Sequence, residues 1–561
     1  MLALRFTPLV FTSFLLASDL ARGQTVFVDA DLTTGASDGS SWSNALQGSA
    51  GLRAAFDQVQ PGGEIWITEG TYFPSDVVDA NATFVLATDD VTIRGGFRGV
   101  EDTPLERPPR GESPTVLDGD VAGNDAAGLF LDNCDTVVLL LGASPTLDRV
   151  DVVRSGAFGV GIAALMREGD VRIQDCSVRD ARAVGLSVVP VSTGPASVEI
   201  SDCHVEGSAV FGFRLSGGDG TTRFDVERCV SANNQTGFFL ESAWPRDTVL
   251  RNCIARDNRE YGVRFLANEP DEGALVQGST LANNALRGLA YEPTADTMSP
   301  GITVRNSILW GNGGPGAGAL EQFEGEGVGP QLIFSSIVQG ATPSGSLYAF
   351  DPLFVDAANG DYALQSASPA IDRGDGAIVD EGELDVVRRH RAVDIASVPN
   401  LGPSSMDAVD IGAFEFSGAI GDNAGCAAEL NSTGRAGRLF AEGSVVASSN
   451  DFALRADRLP PGQFGLFLAS QQRGFAPMTG GSGTLCLGGA IGRFNGAGQI
   501  QASSTEGTLD LDVDLTAVPQ PASFAAVQPG ETWVFQLWHR DVVAPVGATS
   551  QFTGVAAVRF D

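Results

Sequence analysis

One short pattern recurs through the middle of the sequence and constrains the fold more than any other feature. The pattern begins with two hydrophobic residues separated by one variable residue. A cysteine, serine or valine stands three positions after the second hydrophobic residue. That last position is occupied by Val150, Cys176, Cys203, Cys229, Cys253, Ser279 and Ser307. Successive members are 26, 27, 26, 24, 26 and 28 residues apart. Such a spacing indicates one supersecondary unit that repeats and stacks.

Each repeat has the features of short β-strands separated by turns. A glycine and an apolar run follow the recurring position by eight or nine residues, as in Gly212-Phe213. An asparagine-rich turn lies between them, as in Asn233-Asn234. Apolar residues alternate with period two, which favours strands over helices. The Leu-x-x-Leu-x-Leu-x-x-Asn pattern of leucine-rich repeats is missing.

The sequence therefore predicts an all-β chain, a right-handed parallel β-helix of roughly ten coils followed by a C-terminal β-sandwich. The coils extend from Ile65 to Ile337 and lie about 4.8 Å apart, so that equivalent residues stack. The stacked cysteines are expected to be Cys176, Cys203, Cys229 and Cys253. Neighbouring coils bring sulfurs near disulfide distance but in poor geometry, so we expect buried free thiols. Stacked asparagines can bond along the column.

Residues 1–23 have the pattern of a secretory signal peptide. Arg5 precedes an apolar run over residues 6–17, and small residues end the segment at Ala21-Arg22-Gly23. The run is too short to span ~30 Å of hydrocarbon, and no later stretch reaches ~20 apolar residues. We expect a secreted or surface protein that does not span a membrane.

The remaining chain divides into a β-helix and a tail. Residues 24–416 are predicted to hold the β-helix, with an N-terminal cap and a closing module. The cap is a short helix over residues 52–58, because a β-helix must cover its end. Residues 417–425 form a linker, and residues 426–561 form a tail domain of alternating strands. Cys426 and Cys486 are 60 residues apart in this domain. Their predicted disulfide would contribute about 4 kcal/mol.

Motifs at both ends of residues 25–416 carry a family resemblance. Phe27–Ala30, Asp38–Trp42 and Gly62–Tyr72 resemble the opening of secreted bacterial pectin-lyase-like β-helix proteins. The closing motifs resemble the choice-of-anchor Q domain and are Asp351–Asp356, Gly360–Leu364, Ser368–Asp372 and Val409–Glu415. The resemblance implies architecture and export without a catalytic signature. The acidic-glycine-Asn-Pro-Arg stretch of that module is altered here around Glu383 to Arg391.

Charge and composition exclude several kinds of function. The formal charge of −34 opposes binding of nucleic acid. Lysine is absent, which removes Schiff-base chemistry and the phosphate-loop lysine. The three histidines, His204, His390 and His539, are dispersed, and no Gly-x-Ser-x-Gly elbow accompanies them. We therefore expect neither a histidine metal site nor a Ser-His-Asp triad, and we expect His204 to be solvated.

The candidate ligand-binding residues are Arg214, Phe239 and Arg264. They follow the repeat glycines at positions that point outward, where two guanidinium groups and a ring suit a carboxylated or sulfated sugar chain. The resemblance adds that an arginine can be the proton-abstracting base in β-helix pectate lyases. The alternative is that the arginines pair with local acids and that Phe239 covers an apolar patch.

A loop rich in acidic residues offers a candidate calcium site. Its acids are Asp372, Asp375, Asp380, Glu381 and Glu383. Calcium prefers several oxygen ligands, but the spacing matches no EF-hand, and a solvated loop is the alternative. No other cofactor is expected.

The main functional prediction is an exported, non-catalytic surface or matrix protein. Its β-helix would present a rigid face to a polysaccharide or cell-surface glycan, since few side chains suit catalysis. The alternative is a polysaccharide lyase or glycoside hydrolase that acts on acidic polysaccharide. Carboxylates beside the predicted residues would favour the enzyme, and a flat face would favour binding.

Overall fold

The structure, a computed structural model, describes residues 23–560 with short gaps. The gaps are residues 109, 167–168, 192–195, 218–221, 243–247, 268–273, 294–301, 315, 326–331, 366, 381, 394–397, 405–407, 417–427, 434, 444, 451, 478–482, 506 and 544–546. Most of the predicted signal peptide and the whole predicted linker lie outside the described residues. Among those residues, no helix has the length and apolar character needed to cross a bilayer.

Three parallel sheets form the N-terminal part of the molecule, and each coil contributes one strand to each sheet in turn. The first sheet contains Leu46–Gln47, Thr25–Asp29, Glu64–Thr68, Thr92–Phe97, Thr146–Asp148, Gly169–Gln174, Ala196–Ser201, Thr222–Glu227, Thr248–Arg251, Ala274–Gln277, Ile302–Arg305 and Ile333–Phe334. The second contains Gly70–Tyr72, Thr115–Asp118, Asp151–Val153, Ser177–Arg179, His204–Glu206, Val230–Ala232, Ile254–Arg256, Thr280–Ala282, Ile308–Trp310, Ser336–Val338 and Leu347–Tyr348. The third contains Phe84–Leu86, Thr136–Leu140, Val160–Met166, Val184–Pro190, Phe211–Ser216, Thr236–Ser242, Tyr261–Ala267, Arg287–Pro293 and Phe323–Gly325.

This arrangement confirms the predicted right-handed parallel β-helix. The nine strands described in the third sheet correspond to about nine coils, close to the ten expected. Two short strands follow, Phe354–Asp356 and Asp361–Leu364. The described α-helices are Gly48–Gln58 and Ala319–Gln322. The described 3₁₀ turns are Trp42–Asn44, Pro104–Glu106, Asp125–Ala127, Ala357–Asn359, Gly376–Ile378 and Ala447–Ser449.

The recurring cysteine position forms one buried file, as predicted. Cys176, Cys203, Cys229 and Cys253 are free and at most 1% exposed. The Sγ of Cys203 donates to the carbonyl of Ser201 at 3.3 Å and to that of Ile173, in the preceding coil, at 3.5 Å. Ser279 continues the file, and its Oγ accepts the backbone N–H of Cys253 at 3.1 Å. Cysteine and serine are equivalent here because both supply a small group that hydrogen-bonds to backbone carbonyls.

A second file runs through the turn between the second and third sheets. It consists of the buried residues Asn234, Asn258, Asn284 and Asn312. The Nδ2 of Asn258 donates to Oδ1 of Asn284, and that of Asn284 donates to Oδ1 of Asn312, both at 2.8 Å. A Cβ on Gly262 would lie 2.7 Å from the Asn284 Nδ2. The repeated glycine is therefore required by its close approach to this ladder.

The predicted N-terminal helix is present and longer than expected, spanning Gly48–Gln58. Its apolar side packs into the core of the β-helix through Leu52, Ala55 and Phe56. The Phe56 ring meets Phe84 of the third sheet edge-on, with centroids 5.8 Å apart. The helix thus joins the apolar core at the N-terminal end of the sheets.

Residues 373–392 and 401–415, here called the closing segment, bind along the corner between the first and second sheets. Corner residues in the left-handed conformation, such as Asn252 and Asn306, supply side chains to this contact. Asn252 Nδ2 donates to Glu383 Oε1 at 2.8 Å, and Asn306 Oδ1 accepts the Asp375 N–H at 2.8 Å. The predicted calcium loop therefore contacts the coils through the carboxylate of Glu383 and the backbone of Asp375.

The tail is built from antiparallel strands, which confirms the predicted C-terminal β-sandwich. One sheet contains Arg438–Gly443, Phe452–Asp457 and Leu509–Asp512. The other contains Gly492–Arg493, Gln501–Ala502, Phe464–Ser470, Thr532–Val543 and Gly547–Arg559. Two hairpins complete it, Gln472–Pro477 with Thr484–Gly488 and Val518–Pro519 with Phe524–Ala525. Phe452 and Phe535, from the two sheets, meet with centroids 5.4 Å apart in a shared core.

The chain divides into two compact units. One contains residues up to 362 with 373–392 and 401–415, and the other contains 363–372, 393–400 and 416–561. The predicted boundaries at 24–416, 417–425 and 426–561 stay predictions, because the linker is outside the described residues. The Cys426–Cys486 disulfide also stays a prediction, since Cys426 is not described. Cys486 is buried and is not among the five cysteines that are free in the described part of the chain.

Candidate functional site

The three predicted ligand-binding residues lie side by side on the outer face of the third sheet. Arg214 is in register with Phe239 of the next coil, and Phe239 with Arg264 of the coil after it. The arginine side chains are 40% and 33% exposed, whereas Phe239 is 8% exposed. Their order and common face follow from the repeat, which places equivalent positions in one vertical file.

Each arginine of this file contacts a glutamate that the sequence analysis did not single out. Arg214 Nη2 lies 3.4 Å from Glu241 Oε2. Arg264 makes two bonds to Glu292, from Nε at 3.1 Å and from Nη2 at 2.8 Å. Glu241 and Glu292 project from the same face and are separated by the single coil that carries Leu266. Two carboxylates therefore lie beside the predicted file.

Aromatic rings complete this face of the sheet. Phe239 stacks on Phe211 with centroids 4.4 Å apart and planes 11° apart. The Arg264 guanidinium lies 5.3 Å from the Tyr261 ring centroid and 5.8 Å from that of Phe239. The contacts of the alternative interpretation, local acid pairing and an apolar patch, are thus present. Whether a ligand binds here stays a prediction. We call Arg214, Phe239, Glu241, Arg264 and Glu292 the third-sheet site.

The third-sheet site keeps Arg264 positively charged. The pKa of Arg264 is raised, chiefly by its hydrogen bond to Glu292. Burial alone would lower this pKa, and the negative charge of Glu292 raises it further. A guanidinium whose pKa is raised is a poor proton-abstracting base. The charge suits Arg264 to binding and orienting an anion, and the arginine-base role that the resemblance implied stays a prediction.

The two glutamates had a sequence signature that went unused. In Phe239-Leu240-Glu241 and Ala290-Tyr291-Glu292, each glutamate is two residues beyond a file position. Since strand side chains alternate between faces, both glutamates had to point outward with the file. The alternation does not predict which arginine each glutamate contacts, because that depends on side-chain packing between coils.

A second group of charges lies on the outer face of the first sheet. Asp225 is in register with Glu199 of the preceding coil and has Glu227 two residues along its own strand. Burial, and then the charge of Glu227, raise the pKa of Asp225, against the opposing charges of Arg251 and Arg223. The alternation of side chains along each repeat also predicts that these charged residues point outward. Their mixture of both signs is that of a solvated face.

The structure shows the surroundings of His204 and His539. His204 was expected to be solvated, and its side chain is 39% exposed, although its Nε2 is buried without a hydrogen-bond partner among the described residues. Asp202 contacts Arg228 at 2.8 Å and Arg388 at 2.9 Å. His539 is buried in the tail sheet, and burial lowers its pKa.

No group of three or more histidine, cysteine, aspartate or glutamate side chains able to hold a metal occurs in the described part of the chain. Calcium binding stays a prediction.

Fold and site together define a parallel β-helix protein with a mixed basic, acidic and aromatic face. No protein-family model matches the sequence, and no curated protein matches it. The chain is similar to the solved structure of pectate lyase Pel9A, at 13% identity over 70% of this chain and 96% of that chain, with a TM-score of 0.42. It is similar to the A-module of the mannuronan C-5 epimerase AlgE4 from Azotobacter vinelandii, at 17% identity over 56% and 80%, with a TM-score of 0.34.

A third similar structure is a pectin methylesterase from Aspergillus niger. The identity is 13% over 59% of this chain and 92% of that chain, with a TM-score of 0.27. At these values the assignment of the fold depends on the sheet topology of the chain itself. The predicted export and the choice-of-anchor Q resemblance stay predictions.

Proposed function

We propose that this protein is an exported glycoside hydrolase that cleaves an acidic polysaccharide at the third-sheet site. The observation that carries the proposal is the pair Glu241 and Glu292. Both lie on one exposed face, with a single coil between them, beside the predicted ligand-binding residues. Glycoside hydrolysis uses two carboxyl groups, one as acid and one as base or nucleophile. The third-sheet site supplies both, together with an aromatic ring and two cations for the sugar chain.

The two carboxylates differ in their surroundings, which supports different roles. Glu292 is held by two bonds to a permanently charged Arg264, so it serves as the base that activates water. Glu241 has one longer contact with Arg214, so it serves as the acid that protonates the leaving oxygen. Two coils place their backbones about 10 Å apart. Inverting enzymes hold the carboxyl groups ~6.5–9.5 Å apart, a range within the reach of glutamate side chains at this spacing.

The arginines support an acidic substrate. A guanidinium group binds a carboxylate or sulfate with two parallel hydrogen bonds. Arg214 and Arg264 are two coils apart in the same file, with Phe239 between them. A sugar chain that runs across the coils would meet a cation, a ring and a second cation in succession, while the glutamates flank the bond to be cleaved.

The test is a cleavage assay with the full chain on a panel of acidic and neutral polysaccharides. Wild-type protein should release new reducing ends from an acidic polymer without forming unsaturated ends. Glu241→Gln and Glu292→Gln should each lower kcat by at least about a hundredfold, because each removes one proton-transfer group. Arg264→Gln should raise KM, because Arg264 binds the substrate anion, and should also lower kcat by less than Glu292→Gln does, because Arg264 holds Glu292 in place.

The matched control is Glu199→Gln. Glu199 is a 52% exposed glutamate that is also paired with an arginine, at 2.8 Å, but on the first sheet. It should leave kcat and KM unchanged. Binding of the polymer without any cleavage would overturn the hydrolase proposal and favour a non-catalytic surface or matrix protein. Unsaturated ends would favour a lyase instead.

A further inference from the structure

A cavity on the outer face of the second sheet is separate from the third-sheet site. Its volume is about 290 Å³. The second sheet contributes Asp151, Ser177, Arg179 and His204, and the corner contributes Arg149. The connection that precedes strand Thr115–Asp118 contributes Arg110 and forms the opposite wall. Pockets for small ligands begin at about 300 Å³, so this one has room for a single sugar ring.

Three guanidinium groups give the cavity a cationic lining. Arg110 and Arg149 are fixed by the carboxylate of Asp175, at 2.8 Å and 3.0 Å. Arg149 is held further by the Pro108 carbonyl at 2.7 Å. Arg179 is exposed and makes no ion pair among the described residues. Two arginines are therefore held in place, and a third is available for an anion.

The remaining polar groups of the cavity suit hydroxyl groups. Ser177 Oγ donates to Asp151 Oδ1 at 2.5 Å, which leaves the second carboxylate oxygen of Asp151 to accept. His204 Nε2 is a buried polar atom without a hydrogen-bond partner in the described chain, and its nearest acidic oxygen, on Glu206, is 3.8 Å away. Burial lowers the pKa of His204, so the neutral ring can both donate and accept. A buried nitrogen without a partner is costly unless a ligand or water meets it.

We propose that this cavity binds a monosaccharide that carries a carboxylate. Arg179 and Arg110 bind the carboxylate, and the ring hydroxyls are bound by Asp151 and, after a rotation that brings its buried Nε2 to the cavity, by His204. Acidic sugars have this combination of one anionic group and several hydroxyls, whereas an inorganic anion would use the arginines alone. The inference does not rest on the proposed hydrolase activity, because the cavity and the third-sheet site share no residue.

The test is calorimetric titration of the full chain with glucuronate, and with glucose as the uncharged match. Glucuronate should bind at least about tenfold more tightly than glucose, since a charge-assisted bond stabilises the complex. Arg179→Gln should weaken glucuronate binding about tenfold or more and leave glucose unchanged. Arg256→Gln is the matched control, because Arg256 is in the same file of the sheet but outside the cavity. It should bind as the wild type does.

Imidazole NMR locates the ligand independently, because the chain has only three histidines. Glucuronate should shift the resonances of His204 and leave those of His390 and His539 in place. Equal binding of glucose and glucuronate would overturn the proposal, as would unchanged binding by Arg179→Gln. A further outcome is that sulfate competes with glucuronate at equal affinity while the His204 resonances stay in place. That result would identify a simple anion site and overturn the sugar assignment. Since the third-sheet site is untouched, Glu241→Gln should still bind glucuronate.

Discussion

Asp225 shows how position on the β-helix changes the chemistry of one side chain. Its carboxyl is three-quarters buried on the first sheet and faces Glu227 and Glu199. Both burial and these charges disfavour its ionised form, so its pKa is raised above the ordinary value of 3.8. The folded chain therefore holds the Asp225 proton more tightly than the unfolded chain does. As pH rises from 3.8 to the raised pKa of Asp225, the unfolded chain loses this proton first, and the stability of the fold decreases.

Asp225→Asn should therefore raise the melting temperature at neutral pH. The gain should begin near pH 3.8, grow as pH rises to the raised pKa of Asp225, and then stay constant. Loss of the 3.6 Å contact to the exposed Arg223 should matter little. The measurement is thermal unfolding of the wild type and the variant from pH 3 to pH 8.

Asp170→Asn is the control for that comparison, because Asp170 is a 53% exposed aspartate on the same sheet. Its melting temperature should follow the wild type at every pH. A lower melting temperature of Asp225→Asn at neutral pH would show that the Asp225 charge stabilises the fold, contrary to our account.

At the scale of elements, the asparagine ladder determines how the coils close. Asn258 is 1% exposed, accepts the Asn234 N–H at 3.0 Å, and donates to Asn284 and to the Ser231 carbonyl. Removing its amide takes a partner from two buried groups, the Asn234 N–H and the Ser231 carbonyl, whereas Asn284 Oδ1 keeps the backbone N–H of residue 258 at 3.2 Å. Each such group costs about 1–3 kcal/mol.

Asn258→Ala should accordingly lower the unfolding free energy of the β-helix by about 3 kcal/mol. Denaturant unfolding followed by circular dichroism measures the change. Asn81→Ala is the control, because Asn81 is exposed and bonds only within its own turn. The ladder would have no special role in stability if both variants lost the same small amount.

The elements that repeat were the ones that the sequence could predict. The cysteine file, the asparagine turn and the outward file of Arg214, Phe239 and Arg264 all follow from a spacing of 24–28 residues. Contacts that do not repeat were missed. The His204 cavity depends on a wall near Arg110, and its corner is held by Arg388, which lies 186 residues beyond Asp202. No periodicity encodes such distant contacts.

For the molecule as a whole, two different faces of one solenoid are proposed to meet acidic sugars. The third-sheet site is open and extends across several coils, which suits a polymer. The second-sheet cavity is enclosed on one side by a connection and suits one ring. A net charge of −34 repels an acidic polymer at long range, so the local arginines must supply the attraction.

Glu241 and Glu292, one on each side of a single coil, are proposed to cleave a polysaccharide with water bound between them. The two-coil spacing of their backbones, about 10 Å, leaves room for that water and predicts inversion at the anomeric carbon. The direct measurement is the NMR spectrum of the first product, recorded before mutarotation. A sugar of inverted anomeric configuration is the predicted result. Retained configuration, an unsaturated product or no product would contradict the claim.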